Sequence, residues 1–425
     1  MYHKAMRTAV VTTAVAATLV AGLAGATGAA AGQQKAPLGG ASKAPEGSPV
    51  AAAAKAYRTT YPQMSQADAE RAARQQEVRK TLHAQITRGS GAQTFAGAWF
   101  DAPTGTVHVA ATSDAARSYA ARAGKALGLK VTTHAATRSF AQLESAATSL
   151  RKSSTGVGKA AAGHVGIDVK TNSVVAAVPK ASLTTLRRSA TSGVRLVAQT
   201  ADDVVADYGC TSRAACDYTI RAGSMLWRGS QGNNVCSVGF TGRQTNNQRW
   251  VYTAGHCSNG NNVTWGTGSA YIGSMYASVD SGAYDAAIIR VTNPWFSYDA
   301  GGEIYQSVYV NGVAPTLSYI WAGDTVCLSA NYTNPTGPNF CGVVGTNSDP
   351  AVRGMVRVNG LDACGGDSGG GWYWLTSQGR RIAYGLHSRS DAGCHGDAGG
   401  SRSWFSPLPT VKAGWTPWLN VETRP

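Results

Sequence analysis

A serine enclosed by glycines stands in Gly365-Gly366-Asp367-Ser368-Gly369-Gly370. A nucleophilic hydroxyl needs a sharp, exposed turn, and flanking glycines let backbone N–H groups point at an oxyanion developing beside it. A histidine closes an apolar run in Thr253-Ala254-Gly255-His256-Cys257, and an imidazole takes a hydroxyl proton near neutral pH. A lone carboxylate, Asp285, precedes the apolar run 286–291, where it can lie half-buried against a histidine and hold its tautomer. Taken singly, a loop histidine or an aspartate before a strand is ordinary. In the order His256, Asp285, Ser368, separated by 29 and 83 residues, they describe one chemistry: attack of a serine hydroxyl on a carbonyl carbon, with an oriented imidazole as base.

The rest of the composition fits that chemistry. The chain has 425 residues and a net charge of +15, which invites a nucleic-acid reading. The charge is uneven: residues 1–200 hold 24 Lys+Arg against 8 Asp+Glu, and residues 201–425 hold 14 against 15. The candidate residues therefore lie in a nearly neutral half, which argues against a nucleic-acid surface there. All eight cysteines fall between Cys210 and Cys394, an even number that suggests four disulfides and an oxidising compartment. No C-x-x-C pair occurs, so no metal site and no cofactor are expected. Lys4 and Arg7 precede an apolar stretch over 9–24, too short for a comfortable membrane span, and Ala29-Ala30-Ala31 offers small-residue cleavage points. This reads as a signal peptide, residues 1–31, on a secreted, extracellular protein with no membrane span elsewhere.

The elements that must position these residues divide the chain again. Residues 32–55 lack periodicity and read as a linker. Ser65 opens a helix whose Val78, Leu82 and Ile86 share one face and which Gly89 and Gly91 stop. Thr112 or Ser113 caps a second helix ending at Gly128, and a third covers 140–150. The segments 99–109 and 166–176 each read strand, aspartate, turn, β-branched strand, which suggests a duplicated α+β unit over 56–200. Beyond residue 200 helical periodicity disappears. Short β-rich runs at 235–240, 250–253, 286–291, 304–310, 352–358 and 382–386 alternate with Gly/Asn/Ser/Asp turns, the texture of an all-β barrel or sandwich over 201–425.

Thr-Ala-Gly-His-Cys at 253–257, Asp285 before its apolar strand and Gly-Asp-Ser-Gly-Gly at 366–370 resemble the chymotrypsin-like serine peptidases. The similarity is to the bacterial branch of alpha-lytic protease and the streptogrisins, with Val235-Cys236-Ser237-Val238-Gly239-Phe240 matching the strand before the histidine. It covers roughly 220–420, and 95–110 with 163–178 resemble that branch's pro-region. The resemblance implies an all-β catalytic domain of two antiparallel β-barrels with the site between them, preceded by an α+β pro-domain. It implies a serine endopeptidase made as a pre-proenzyme: Ser368 as nucleophile, His256 as base, Asp285 as its orienter, and the N–H groups of Gly366 and Ser368 as oxyanion hole. Ser388 matches the serine that supports the buried aspartate. The cysteine pairs implied are Cys236–Cys257, Cys364–Cys394 and Cys327–Cys341, leaving Cys210–Cys216. The expected partners are protein or peptide substrates and the chain's own pro-domain, as folding aid and inhibitor, around a monomer.

Two departures matter. The family's usual first mature strand has its counterpart in Ile220-Arg221-Ala222-Gly223, which places maturation within 198–209. In relatives a cation faces the aspartate before the nucleophile, and an arginine often follows the cysteine of the third loop. Leu328 stands there; Arg353 and Arg357 are candidates to face Asp367 instead, and the sequence does not decide its partner. The substrate pocket stays open among three readings. Asp362, six residues before Ser368, matches a pocket-floor carboxylate that favours Arg or Lys. His387 and Ser390, flanking Ser388, fit members that take Glu. If Arg389 cancels Asp362, or Asp362 is a surface residue, the pocket is apolar. The intact set of three argues against an inactive, peptide-binding relative, while an esterase would share the same residues.

Overall fold

The computed structural model describes residues 47–89, 91–162, 164–187, 193–198 and 220–424, the last with short gaps at 231–232, 259, 261, 283, 298–300, 306–307, 334–338, 392–393, 395 and 397–398. The segment 1–31 expected to be a signal peptide, the region 199–219 expected to hold the maturation point and the expected pair Cys210–Cys216 lie outside the described residues.

Helix α1, Pro49–Thr60, begins inside the stretch expected to be a linker. Ser48 caps it by accepting the Ala51 N–H, and Pro49 occupies its first turn. Its buried face is made of Ala53, Ala54, Ala56 and Tyr57. Alanine favours helix without supplying a large apolar stripe, which is why no periodicity betrayed it. Helix α2, Gln66–Ile86, starts at Ser65, whose side chain accepts from the Asp68 N–H.

Two three-stranded sheets follow, each an antiparallel hairpin with a third strand added in parallel. In the first, β1 (Phe95–Asp101) pairs with β2 (Thr106–Ala111); helix α3 (Asp114–Ala126) then returns the chain to β3 (Lys130–Ala135), parallel to β2. Helix α4, Phe140–Lys152, leads to the second, where β4 (Val165–Asp168) pairs with β5 (Ser173–Val178) and β6 (Val194–Ala198) runs parallel to β5. The repeated topology is the structural counterpart of the repeated strand–Asp–turn pattern.

The remainder is two antiparallel β-barrels. The first uses β7 (Met225–Arg228), β8 (Asn234–Ser237), β9 (Thr241–Gln244), β10 (Arg249–Thr253), β11 (Thr264–Thr267), β12 (Ala270–Ser281) and β13 (Tyr284–Val291). Its hydrogen-bonded order is β9-β10-β13-β12-β11-β7-β8. The continuous run 234–244 supplies both end strands, so the sheet curves back on itself. Leu226, Val251, Trp265, Ile272, Met275 and Ile289 fill its interior. The second barrel uses β14 (Thr325–Ser329), β15 (Phe340–Asp349), β16 (Met355–Asn359), β17 (Gly371–Leu375), β18 (Arg381–Ser390) and β19 (Arg402–Pro407). Its order is β18-β17-β14-β15-β16-β19, and pairing of β18 with β19 closes it. Helix α5, Leu408–Gly414, and the short β20, Leu419–Val421, which adds to β9, end the chain. The expected strand at 304–310 is reduced to two-residue pieces at Glu303–Ile304 and Val308–Tyr309.

The N-terminal elements grip the second barrel at one place. The Tyr57 hydroxyl donates to Gly323 O (2.7 Å), and the Gln76 amide donates to Thr325 O and accepts from the Thr325 N–H and hydroxyl. Lys80 pairs with the fully buried Asp324, Trp99 of β1 bridges to Ala322, and the Ile167 N–H reaches Ser348 Oγ (3.0 Å). These contacts converge on the β14–β15 hairpin and the turn before it.

Candidate active site between the barrels

Strand β10 is central in the first barrel, and its apolar run ends at Thr253, so His256 emerges on the turn that follows. Asp285 is the second residue of β13, the neighbour of β10. Ser368 comes from the turn between β16 and β17 of the second barrel. Gly369, at φ +84°, lets that turn press against the histidine strand: a Cβ there would stand 2.1 Å from Thr253 Oγ1 and 2.7 Å from Ala254 N. The Ser237 N–H donates to Ser368 O (2.8 Å), and the Thr253 hydroxyl donates to Ser237 O (2.9 Å), tying the two barrels together. Disulfides Cys236–Cys257 and Cys364–Cys394 fasten the turns that carry the histidine and the serine, and Cys327–Cys341 joins β14 to β15.

These constraints bring three side chains into line. His256 Nδ1 lies 2.6 Å from Asp285 Oδ2, and His256 Nε2 lies 2.8 Å from Ser368 Oγ. The His256 backbone N–H donates to Asp285 Oδ1 (2.8 Å), and the Ser388 hydroxyl donates to Asp285 Oδ2 (2.6 Å). Asp285 is 0% exposed. Burial by itself raises its pKa, but the His256 imidazole, the Ser388 hydroxyl and the His256 N–H together bring it to about 2. Burial pulls the His256 pKa down, and the Asp285 carboxylate more than offsets this, so the net shift is upward. With its Nδ1 proton directed at Asp285, the ring presents Nε2 as an acceptor to the serine hydroxyl.

Among the described residues, neither the Gly366 nor the Ser368 N–H is taken by a protein acceptor. Both belong to the turn carrying Ser368. The arrangement can remove a proton from a serine hydroxyl and offer two backbone donors beside the carbon it attacks.

The four residues grouped as a pocket separate. Ser388 belongs with Asp285. The Ser390 hydroxyl donates to Ala363 O (2.8 Å), in the segment leading to Ser368. His387 is 1% exposed, and its Nδ1 accepts the Trp372 indole N–H at 3.3 Å. Burial, reinforced by the neighbouring His256, holds it down to about 3, so it stays neutral. Asp362 is 2% exposed, which removes the reading of it as a surface loop residue; its backbone exchanges both hydrogen bonds with Gly396 beyond the Cys364–Cys394 link.

The expectation for Asp367 is corrected. Arg353 pairs with Asp280 and Arg357 with Asp349 (3.3 Å), while Asp367 is held by Tyr332, Thr333 and Cys364. Sequence reading also passed over Ser406, whose hydroxyl accepts from the Asp285 N–H (2.8 Å) and donates to Asp285 O (3.1 Å). A lone serine far along the chain carries no signal of such a contact.

The depressed Asp285 pKa is a stabilising contribution. It is fully present above the unfolded carboxylate pKa of roughly 4 and is lost as pH falls through about 2. Ser388→Ala removes one donor to that carboxylate and should cost about 1.5–3 kcal/mol at pH 6. Denaturant unfolding of both proteins at pH 6 and pH 2.5 measures this. The penalty should shrink at the lower pH, and an equal penalty at both would show that Ser388 acts through packing instead.

No protein-family model matches the chain. It is similar to Serine protease 1 of Streptomyces fradiae, with 29% identity over 326 residues, 75% of this chain and 81% of that protein. Among solved structures, protease A of Thermobifida fusca shares 26% identity and covers 48% of this chain and 100% of its own, with a TM-score of 0.37. A Nocardiopsis protease shares 25% identity at the same coverage, with a TM-score of 0.35. A serine, a histidine and a buried aspartate lie in line between two antiparallel barrels, and a bacterial serine protease matches three-quarters of the sequence. By these features the chain is similar to the chymotrypsin-like serine peptidases.

Proposed function

We propose that the protein is a secreted serine endopeptidase made as a pre-proenzyme, with residues 1–31 as signal peptide, 56–200 as pro-domain and 201–425 as peptidase domain. The observation that carries the site assignment is the line Ser368 Oγ, His256 Nε2, His256 Nδ1, Asp285 Oδ2, at 2.8 and 2.6 Å. Ser368 Oγ attacks the scissile carbonyl as its proton passes to His256 Nε2. The carbonyl electron pair moves onto oxygen, facing the Gly366 and Ser368 N–H groups, while Asp285 stabilises the imidazolium. Collapse expels the amine, which takes the proton from His256 and leaves an acyl-enzyme. Water, deprotonated by His256, then attacks the ester and releases the acid and the serine.

The N-terminal region acts in this reading as folding aid and inhibitor. Support comes from its buried contacts with the β14–β15 hairpin, including Lys80–Asp324. A barrel assembled from strands far apart in sequence folds slowly, and a docked partner that stabilises one of its hairpins offsets the entropy of closing the rest.

For the substrate, the position of Asp362 six residues before Ser368, together with its burial, supports a preference for a basic residue before the scissile bond. The neutral, Trp372-bonded His387 offers no charge for an acidic side chain.

Ser368→Ala should abolish peptide turnover, leave only the contribution of binding and the oxyanion hole, on the order of 10³–10⁴ over water, and accumulate uncleaved precursor. Turnover by the purified variant at the wild-type rate would refute the site assignment. Residues 201–425 produced without the leader should recover little activity on refolding with disulfides formed, and recover it when residues 32–200 are added separately. Full activity without the leader would remove the folding role. Matched peptides carrying Arg, Glu or Phe before the scissile bond should be cut fastest after Arg by the wild type, and Asp362→Asn should lose that preference by tenfold or more, about 1.4 kcal/mol. Indifference of the wild type to Arg would overturn the basic pocket.

A further inference from the structure

Asp367 is 0% exposed and adjoins the nucleophile. A buried carboxylate without compensation is costly. Among the described residues its compensation comes from neutral donors, mainly in the segment just after β14. Oδ1 accepts from the Tyr332 N–H (2.5 Å) and the Thr333 N–H (3.1 Å). Oδ2 accepts from the Thr333 N–H (3.1 Å), the Cys364 N–H (2.8 Å) and the Thr333 hydroxyl. The same hydroxyl accepts from the Cys364 N–H at 3.0 Å. It thus touches both ends of the turn 364–367, which the Asp367 N–H closes onto Cys364 O (3.1 Å).

The middle of that turn is confined as well. Gly366 has φ +87°, and the Tyr332 ring lies where its side chain would be: a Cβ would stand 1.9 Å from Tyr332 Cε2. Gly366 O accepts from the Ser237 hydroxyl (2.9 Å), and Ser237 Oγ accepts from the Asn331 N–H (3.0 Å). Residues 331–333 therefore bound the turn that presents the two unoccupied N–H groups.

We propose that Thr333 is a positioning residue for the oxyanion hole, its hydroxyl bridging Cys364 and Asp367 and so keeping the Gly366 and Ser368 N–H groups convergent. This rests on the assignment of those two N–H groups given above. Valine, similar in shape, would leave the Asp367 carboxylate and the Cys364 N–H each short of one partner at a buried site, and the turn would gain by rearranging. Serine retains the hydroxyl.

A pH signature separates this from simple packing. Burial raises the Asp367 pKa, and the Thr333 hydroxyl is the largest opposing influence, ahead of the Cys364, Tyr332 and Thr333 N–H groups. Among the described residues, the titratable groups around the turn are Tyr332, the buried Asp362 just before it in the chain and, across Ser368, His256 with Asp285. Loss of the hydroxyl raises the Asp367 pKa further, so its proton enters at higher pH; by loosening the turn, that protonation adds to the protonation of His256 on the acid limb of the rate profile and moves the limb upward.

The test compares wild type, Thr333→Val, Thr333→Ala and Thr333→Ser as full chains matured in the same way, with folding checked by near-UV circular dichroism. Valine and alanine should lower kcat for a peptide amide about 10- to 100-fold, below or near the effect of removing one oxyanion donor outright, with KM within about twofold. They should shift the acid limb upward, and serine should restore both. Unchanged kcat and pH profile in folded Thr333→Val would overturn the proposal, as would failure of both valine and alanine variants to fold, which would make Thr333 a fold residue. Fluorophosphonate labelling of the wild type at Ser368 keeps the two readings apart: a labelled wild type with an unaffected valine variant strikes only Thr333, and an unlabelled wild type strikes the site itself.

Discussion

The carboxylate of Asp285 is a charge with no solvent exposure, and its surroundings must supply donors for it. The imidazole and N–H of His256 come from the first barrel, and the hydroxyl of Ser388 comes from the second. Ser406, also from the second barrel, fixes the Asp285 backbone. The aspartate is satisfied only when both barrels are formed and in contact. The same contact puts Ser368 within reach of His256 Nε2. One electrostatic requirement thus links the closing of the interface to the alignment of Ser368, His256 and Asp285.

Asp367 poses the same problem a few residues away and is solved differently. It has five hydrogen bonds from neutral groups on Tyr332, Thr333 and Cys364, in a turn that the Tyr332 ring and the Ser237 hydroxyl also confine. Neutral donors do not cancel the charge but distribute it over a rigid backbone. Strand β14 connects this region to the N-terminal elements, because Thr325 at its start bonds Gln76 and the residues just past its end bond Asp367.

The sequence carried a large share of the site. His256, Asp285 and Ser368 were legible because their chemistry requires particular residue types in stereotyped local settings: a histidine after an apolar strand, an aspartate before one, a serine among glycines. Helices with a serine cap and large apolar residues on one face were legible for a similar local reason. Helix α1 was not, since its buried face is alanine and reads as linker. The long β12 and the β14–β15 hairpin also left little trace, because their pairing depends on partners distant in sequence.

What the sequence by itself determined is the class of architecture and a candidate chemistry: a serine, a histidine and an aspartate in settings that suit a nucleophile and its base, a neutral β-rich half with all the cysteines, and a basic α+β half before it. Tertiary structure decided which groups compensate the buried charges. Neither candidate arginine reaches Asp367; a threonine hydroxyl and backbone N–H groups do. His387, read as a possible receptor for an acidic side chain, is sealed against Trp372, and Asp362 is buried rather than exposed. The reason is physical. Local sequence specifies conformational preference and reactivity, whereas the partner of a buried polar group is whatever the folded chain brings within about 3 Å of it, and that distance depends on every strand between them.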